Sequence, residues 1–170
     1  MKGQATRVIE IYSGQVVIAD PSYDPGCRGY YSHAAKAGDW MTYIEYDPAT
    51  GTPSFLGAVH LDYENNYTDL CWFDLDDVLG VDSGQMSIYD KEEYDYAHEG
   101  YRFENFYEAI GHGYDGSDYE GTLNPPGYFY SDNFGIATRT HGGDGVCYAM
   151  LFTEDESPDS PVVAIEIDLC

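Results

Sequence analysis

The apolar runs of this 170-residue chain are short, rich in β-branched and aromatic residues, and closed by Gly, Asp or Pro within one strand's length. "QVVIAD" stops at Asp20-Pro21, "WMTYIEYD" (Trp40 to Asp47) runs into "PATG", and "VCYAMLFT" (Val146 to Thr153) runs into "EDESPDS". Such punctuation leaves little room for long helices and directs the chain into strands and tight turns. Strands are expected at Thr6 to Ile11, Gln15 to Ala19, Trp40 to Asp47, Ser54 to Leu61, Asp69 to Leu75, Tyr128 to Thr140, Val146 to Thr153 and Pro161 to Leu169. The exception is Lys91 to Gly113, where Phe103, Phe106, Tyr107 and Ile110 recur at helical spacing and Gly111 supplies a stop. Tyr114 to Gly127 is loop by composition. No linker is long enough to divide the chain, so residues 1–170 read as a single domain. The expected class is α+β, mostly antiparallel β, with one or two helices around residues 91–111.

Two stretches match each other: "SGQVVIAD" (Ser13 to Asp20) and "SGQMSIYD" (Ser83 to Asp90). Each puts a Gly after Ser, ahead of a strand that ends at Asp; Gly permits positive φ in the turn. The match does not extend past Tyr23 and Tyr94, so it reads as a recurring turn-to-strand device rather than a duplicated unit.

Charge restricts the partners. The chain has 31 acidic and 7 basic residues, a formal net charge of -24. Between Trp40 and Thr138, Lys91 and Arg102 face 20 Asp and Glu. That field repels nucleic acid and anionic membrane and draws in basic partners. The bland alternative is that it serves solubility or salt tolerance. The apolar runs are too short to span a bilayer, and "MKGQATRVIE" has no signal-peptide core. Cys27, Cys71, Cys147 and Cys170 form no C-x-x-C pair and no zinc-like spacing with His, which fits reduced thiols in a cytoplasm.

Taken in order, "SGQVVIADPSY" (Ser13 to Tyr23), "GVDSGQMSIYD" (Gly80 to Asp90) and "GIATRTHGGDGVCYAMLF" (Gly135 to Phe152) resemble a phage and bacterial family of unknown function. Met86-Ser87 stands where that family more often has small residues. The resemblance implies a compact β-rich fold and a phage or prophage origin, hence residence in a host cytoplasm. It implies no activity.

Candidate sites are weighed against simpler roles. Asp20, Asp82, Asp90 and Asp144 at motif turns would suit a metal or acid-base site, but Asp also ends strands by accepting from turn amides, and that reading is favoured. "GHGYDG" (Gly111 to Gly116) has dinucleotide-loop spacing but follows a helix and precedes acidic residues, so it is rejected. "THGGDG" (Thr140 to Gly145) offers His141 and Asp144 for proton transfer, yet glycines are what a hairpin turn requires. Neither a catalytic residue nor a cofactor is assigned.

The strongest constellation interleaves aromatics with carboxylates in "DYENNYTDLCWFDLDD" (Asp62 to Asp77) and "YDKEEYDYAHEGYRFENFYE" (Tyr89 to Glu108). Its interface candidates are Asp74, Asp76, Asp77, Glu92, Glu93, Asp95, Tyr96 and Tyr101. The expected function is inhibition of a basic, nucleic-acid-handling host protein, such as a CRISPR or restriction nuclease, by nucleic-acid mimicry. The alternatives are a sponge for a signalling nucleotide, using Arg102, Arg139, His141 and Asp144, a metal-assisted hydrolase, and a virion component. The thiol reading is directly testable: all four Cys should react with a thiol reagent after denaturation without prior reduction. Two or more protected sulfurs would show disulfides and overturn it.

Overall fold

A computed structural model describes residues 1–75, 79–99, 129–131, 133–140, 143–157 and 159–169. The strands are β1 (Gln4–Ile11), β2 (Gln15–Ala19), β3 (Tyr31–Ala34), β4 (Gly38–Tyr46), β5 (Pro53–His60), β6 (Cys71–Asp74), β7 (Leu79–Val81), β8 (Gln85–Asp90), β9 (Phe129–Ser131), β10 (Gly135–Arg139), β11 (Gly145–Thr153) and β12 (Val162–Asp168). Among the described residues one α-helix, α1 (Lys91–His98), follows β8. The class is mostly antiparallel β in two sheets, as the turn-punctuated sequence indicates.

The first sheet runs β1-β4-β5-β12-β11-β6, with β7 also on β11; the second runs β3-β2-β8-β10-β9. Between them lies the main core, to which nearly every strand contributes. Ile9 and Ile11 of β1, Val16 and Ile18 of β2, Trp40 and Ile44 of β4, Met86 and Ile88 of β8, and Leu151 and Ile165 are all buried there. The outer faces are covered as well. Tyr94 and Ala97 of α1 pack on Val17, Ala19, Tyr89 and Ala137 of the second sheet. Tyr67 packs on Phe152, Tyr43 and Phe55 of the first.

Two sequence expectations change, and a further one is described only in part. The stretch Tyr128 to Thr140 is two strands, not one: β9 folds back on β10, with Ile136 opposite Ser131. Asn133, which lies between them, is a turn former, which favours the reversal. The helix expected over 91–113 is described only as α1, ending at His98 with Glu99 as its cap; Phe103, Phe106, Tyr107 and Ile110 lie outside the described residues. The second change concerns the matched stretches.

Those stretches mark a structural repeat. β2 and β8 are antiparallel neighbours whose register centres on Ile18 opposite Ile88, with Val17 opposite Tyr89 and Ala19 opposite Ser87. Exchanging the two copies reproduces this pattern. The exchange also holds far beyond them. Ile11 faces Gly38 across β1–β4, and Val81 faces Gly145 across β7–β11. β4 pairs β5 with a register break between Glu45 and Tyr46; β11 pairs β12 with the same break between Phe152 and Thr153. β5 pairs β12 about Gly57 opposite Glu166, with Ala58 on Ile165 and Leu56 on Ile167. Thus β1-β2-β3-β4-β5 answers to β6/β7-β8-β10-β11-β12, and both sheets meet at a shared twofold centre. Five identical residues in eight understated this because pairing and burial are kept while side chains differ: Trp40 in one half answers to Cys147 in the other, both fully buried.

The two buried carboxylates at the strand ends join the halves. Asp20 Oδ2 accepts from the N–H of Asp82 (2.8 Å) and of Ser83 (2.7 Å), and its Oδ1 accepts from Ser83 Oγ (2.6 Å). In return Asp90 Oδ2 accepts from Ser13 N–H (2.8 Å), while Oδ1 caps α1 through Glu92 N–H (2.9 Å). Each Asp therefore holds the Ser-Gly turn of the other copy. Gly14 (φ 72°) and Gly84 (φ 70°) complete those turns in a region that L side chains rarely adopt.

Asp20→Ala leaves the partly buried amides of Ser22, Asp82 and Ser83 and the Ser83 hydroxyl without their acceptor, and should cost about 3 kcal/mol in urea unfolding. Gly14→Val and Gly84→Val should each cost about 1–3 kcal/mol through backbone strain. Unchanged midpoints for all three variants would show that the turns do not fasten the halves.

Candidate protein interface

The acidic, aromatic stretch that the sequence singles out around Tyr89 becomes a helix on the outside of the second sheet. Asp90 is its N-cap, with Glu92 and Glu93 in the first turn, where carboxylates favour the helix dipole. Tyr94 and Ala97 face inward and fix the helix to the sheet. The Tyr94 hydroxyl donates to the carbonyls of Asp20 (3.0 Å) and Tyr23 (2.8 Å), and the ring stacks on His98 at 4.6 Å. Glu92 and Tyr96 are left on the solvent side.

The carboxylates of this face are braced by phenols from distant strands and loops. Tyr12 Oη donates to Glu93 Oε1 at 3.1 Å, and Tyr30 Oη donates to Asp95 Oδ1 at 2.7 Å. Lys91 also reaches Asp95 one turn along the helix. The device recurs on the first sheet, where Tyr43 donates to Glu64 and Tyr67 donates to Glu166 at 2.7 Å. Tyr63 donates to Glu154, which Lys36 also approaches at 3.5 Å; the phenol first, and then the ammonium, hold Glu154 below the usual carboxylate range. Much of the high Tyr content is explained here: a phenol covers apolar surface with its ring and restrains a carboxylate with its hydroxyl.

These contacts also move the phenols. Burial first, then hydrogen bonding to Glu93, pushes Tyr12 up to about 12. Burial and then Asp82 push Tyr23 up to about 12, and burial and then Glu64 do the same for Tyr43. Tyr30 and Tyr67 rise by burial and by their bonds to Asp95 and Glu166.

The residues singled out from sequence separate in space. Glu92, Glu93, Asp95 and Tyr96 share α1, whereas Asp74 ends β6 at the margin of the other sheet. Asp76, Asp77 and Tyr101 lie outside the described residues, as do Arg102 and His141. Arg139 ends β10 and Asp144 precedes β11, both exposed. Asp20 and Asp90 direct their oxygens to backbone amides. Among the described residues no group of three His, Cys, Asp or Glu could hold a metal ion, and Cys27, Cys71 and Cys147 form no disulfide. No described helix is long and apolar enough to cross a membrane. Sequence reasoning missed Tyr12 and Tyr30, which lie 81 and 65 residues from the carboxylates they hold. No local pattern records such pairs.

Compared with known proteins, the chain matches no family model, no curated protein and no solved structure. The resemblance to a phage and bacterial family thus rests on the quoted motifs alone.

The phenol pairs set an alkaline limit. A phenol with a folded pKa near 12 and an unfolded value near 10 contributes stability that is complete below pH 10 and is lost as pH rises through 12. Phenolate absorbance of the native protein should therefore lag that of the urea-unfolded chain by about two pH units for this subset. Coincident titration curves would remove the bracing.

Proposed function

We propose that this protein is a binding module that captures a basic, nucleic-acid-handling protein by presenting carboxylates where that partner would meet phosphates. The observation that carries the reading is the outer face of α1. There Glu93 and Asp95 are held by Tyr12 and Tyr30, beside exposed Glu92 and Tyr96. A carboxylate already restrained by a phenol loses less side-chain entropy on binding, so it gives more of its attraction to the complex. Tyr96 supplies a stiff amphipathic ring of the kind that anchors protein interfaces. The net charge of -24 provides long-range steering towards a cationic surface. A nuclease of a host defence system is the target class to which the suspected phage origin points.

The test is capture of nucleic-acid-binding proteins from a host extract at low salt, followed by kinetics on the purified partner. DNA or RNA should compete with the module, and affinity should fall steeply with salt. Glu92→Lys with Glu93→Lys should slow association by roughly tenfold, whereas Tyr96→Ala should mainly speed dissociation. Tyr12→Phe and Tyr30→Phe keep the net charge, so they should weaken binding only if bracing matters. A partner whose nucleic acid binds alongside the module, without competition, would rule out mimicry.

A further inference from the structure

The two ends of the first sheet are finished differently. At the β1 end, Glu10 N–H donates to the Asn133 carbonyl at 2.7 Å and the Arg7 guanidinium donates to Asn133 Oδ1 at 3.1 Å, stitching the edge to the second sheet. At the other end the repeat supplies β6 and β7 as the counterpart of continuous β1, and the strand is interrupted after Asp74. Among the described residues no strand pairs with the outward edge of β6. Exposed edges are commonly blunted by Lys, Pro or a bulge. β6 instead reads Cys71-Trp72-Phe73-Asp74, with Trp72 56% and Phe73 41% exposed.

Beside this edge opens a cavity of about 380 Å³ bounded by Asp74, Leu75, Tyr148, Met150, Glu166 and Asp168. Asp74, Met150 and Glu166 are consecutive partners across β6, β11 and β12, so they lie in one cross-strand row. Met150 and Leu75 supply apolar surface, Tyr148 is 68% exposed, and three carboxylates stand against one ammonium, that of Lys2. An apolar stem with a cationic head, as in Lys or Arg, matches that lining.

We infer that β6 is a docking edge for an extended basic segment of a partner protein, which adds as a strand and places a Lys or Arg side chain in the neighbouring cavity. Main-chain bonds to the edge would supply affinity, and the acidic cavity would select the side chain. A second copy of this chain is the wrong occupant, because two molecules of charge -24 repel. The inference deepens the reading of a basic partner but uses a different surface from α1.

The probe is an eight-residue peptide alternating Arg or Lys with Val, titrated into the full chain while Trp72 fluorescence is followed. Trp72→Phe identifies the signal, since Trp40 is buried. The peptide should change the Trp72 signal, N-methylation of its alternate amides should weaken it at least tenfold, and Asp168→Asn should weaken it several-fold. Glu92→Lys with Glu93→Lys should leave peptide affinity largely intact. Equal binding of the N-methylated peptide would reduce the contact to charge alone and overturn strand addition. Self-association at low salt that Trp72→Lys abolishes would assign the edge to a second copy instead. A basic protein that binds through α1 while no peptide binds at β6 would refute this inference and leave the proposed function standing.

Discussion

Two buried carboxylates, each accepting from the backbone of the opposite repeat, are the constraint on which this sandwich depends. Asp20 and Asp90 end the adjacent central strands β2 and β8, and each reaches the Ser-Gly turn that begins the other. A buried charge is costly unless its lone pairs are filled, and here backbone amides fill them. Misplacing either turn would therefore leave one carboxylate oxygen, Oδ2 of Asp20 or of Asp90, without its donors in the interior. That penalty sets the strand register as firmly as the apolar contacts of Ile18 and Ile88 do.

From that centre the rest of the architecture follows in pairs. Each turn sends the chain from one sheet to the other, so β1 and β2 face each other across the core, as do β7 and β8. The repeat then closes through β5 and β12, whose pairing makes one continuous sheet from two halves. What distinguishes the halves lies at their margins. The second half carries α1 after Asp90, and it splits the counterpart of β1 into β6 and β7. Both departures bring acidic and aromatic side chains to the surface, and both proposed binding surfaces lie at them.

The acidic surface is ordered by tyrosine more than by cations, although Lys91 also reaches Asp95 and Lys36 approaches Glu154. With 7 basic residues against 31 acidic ones, ion pairing cannot neutralise the field, and phenol donors serve as the alternative. A phenol donates to one carboxylate without cancelling its charge, so the negative potential survives while the oxygen positions are restrained. The arrangement suits a protein whose surface charge is meant to be met by a partner.

The sequence by itself determined the β class, most strand positions and the importance of the Ser-Gly and Asp punctuation, because turn chemistry and β-branched runs act locally. It also determined the excess of negative charge, which no folding can alter. It did not reveal the repeat beyond eight residues. Pairing geometry tolerates Trp40 exchanged for Cys147, and what a twofold centre preserves is register and burial rather than letters. The short strands β3 and β7 were hidden for a related reason: three or four residues carry too little periodicity, and long-range pairing defines them. Only tertiary structure placed Tyr12 on Glu93 and Tyr30 on Asp95, parted Asp74 from the α1 carboxylates, and put β6 at the edge of the sheet among the described residues. Those outcomes depend on which strands become neighbours, and that is settled by packing the whole core.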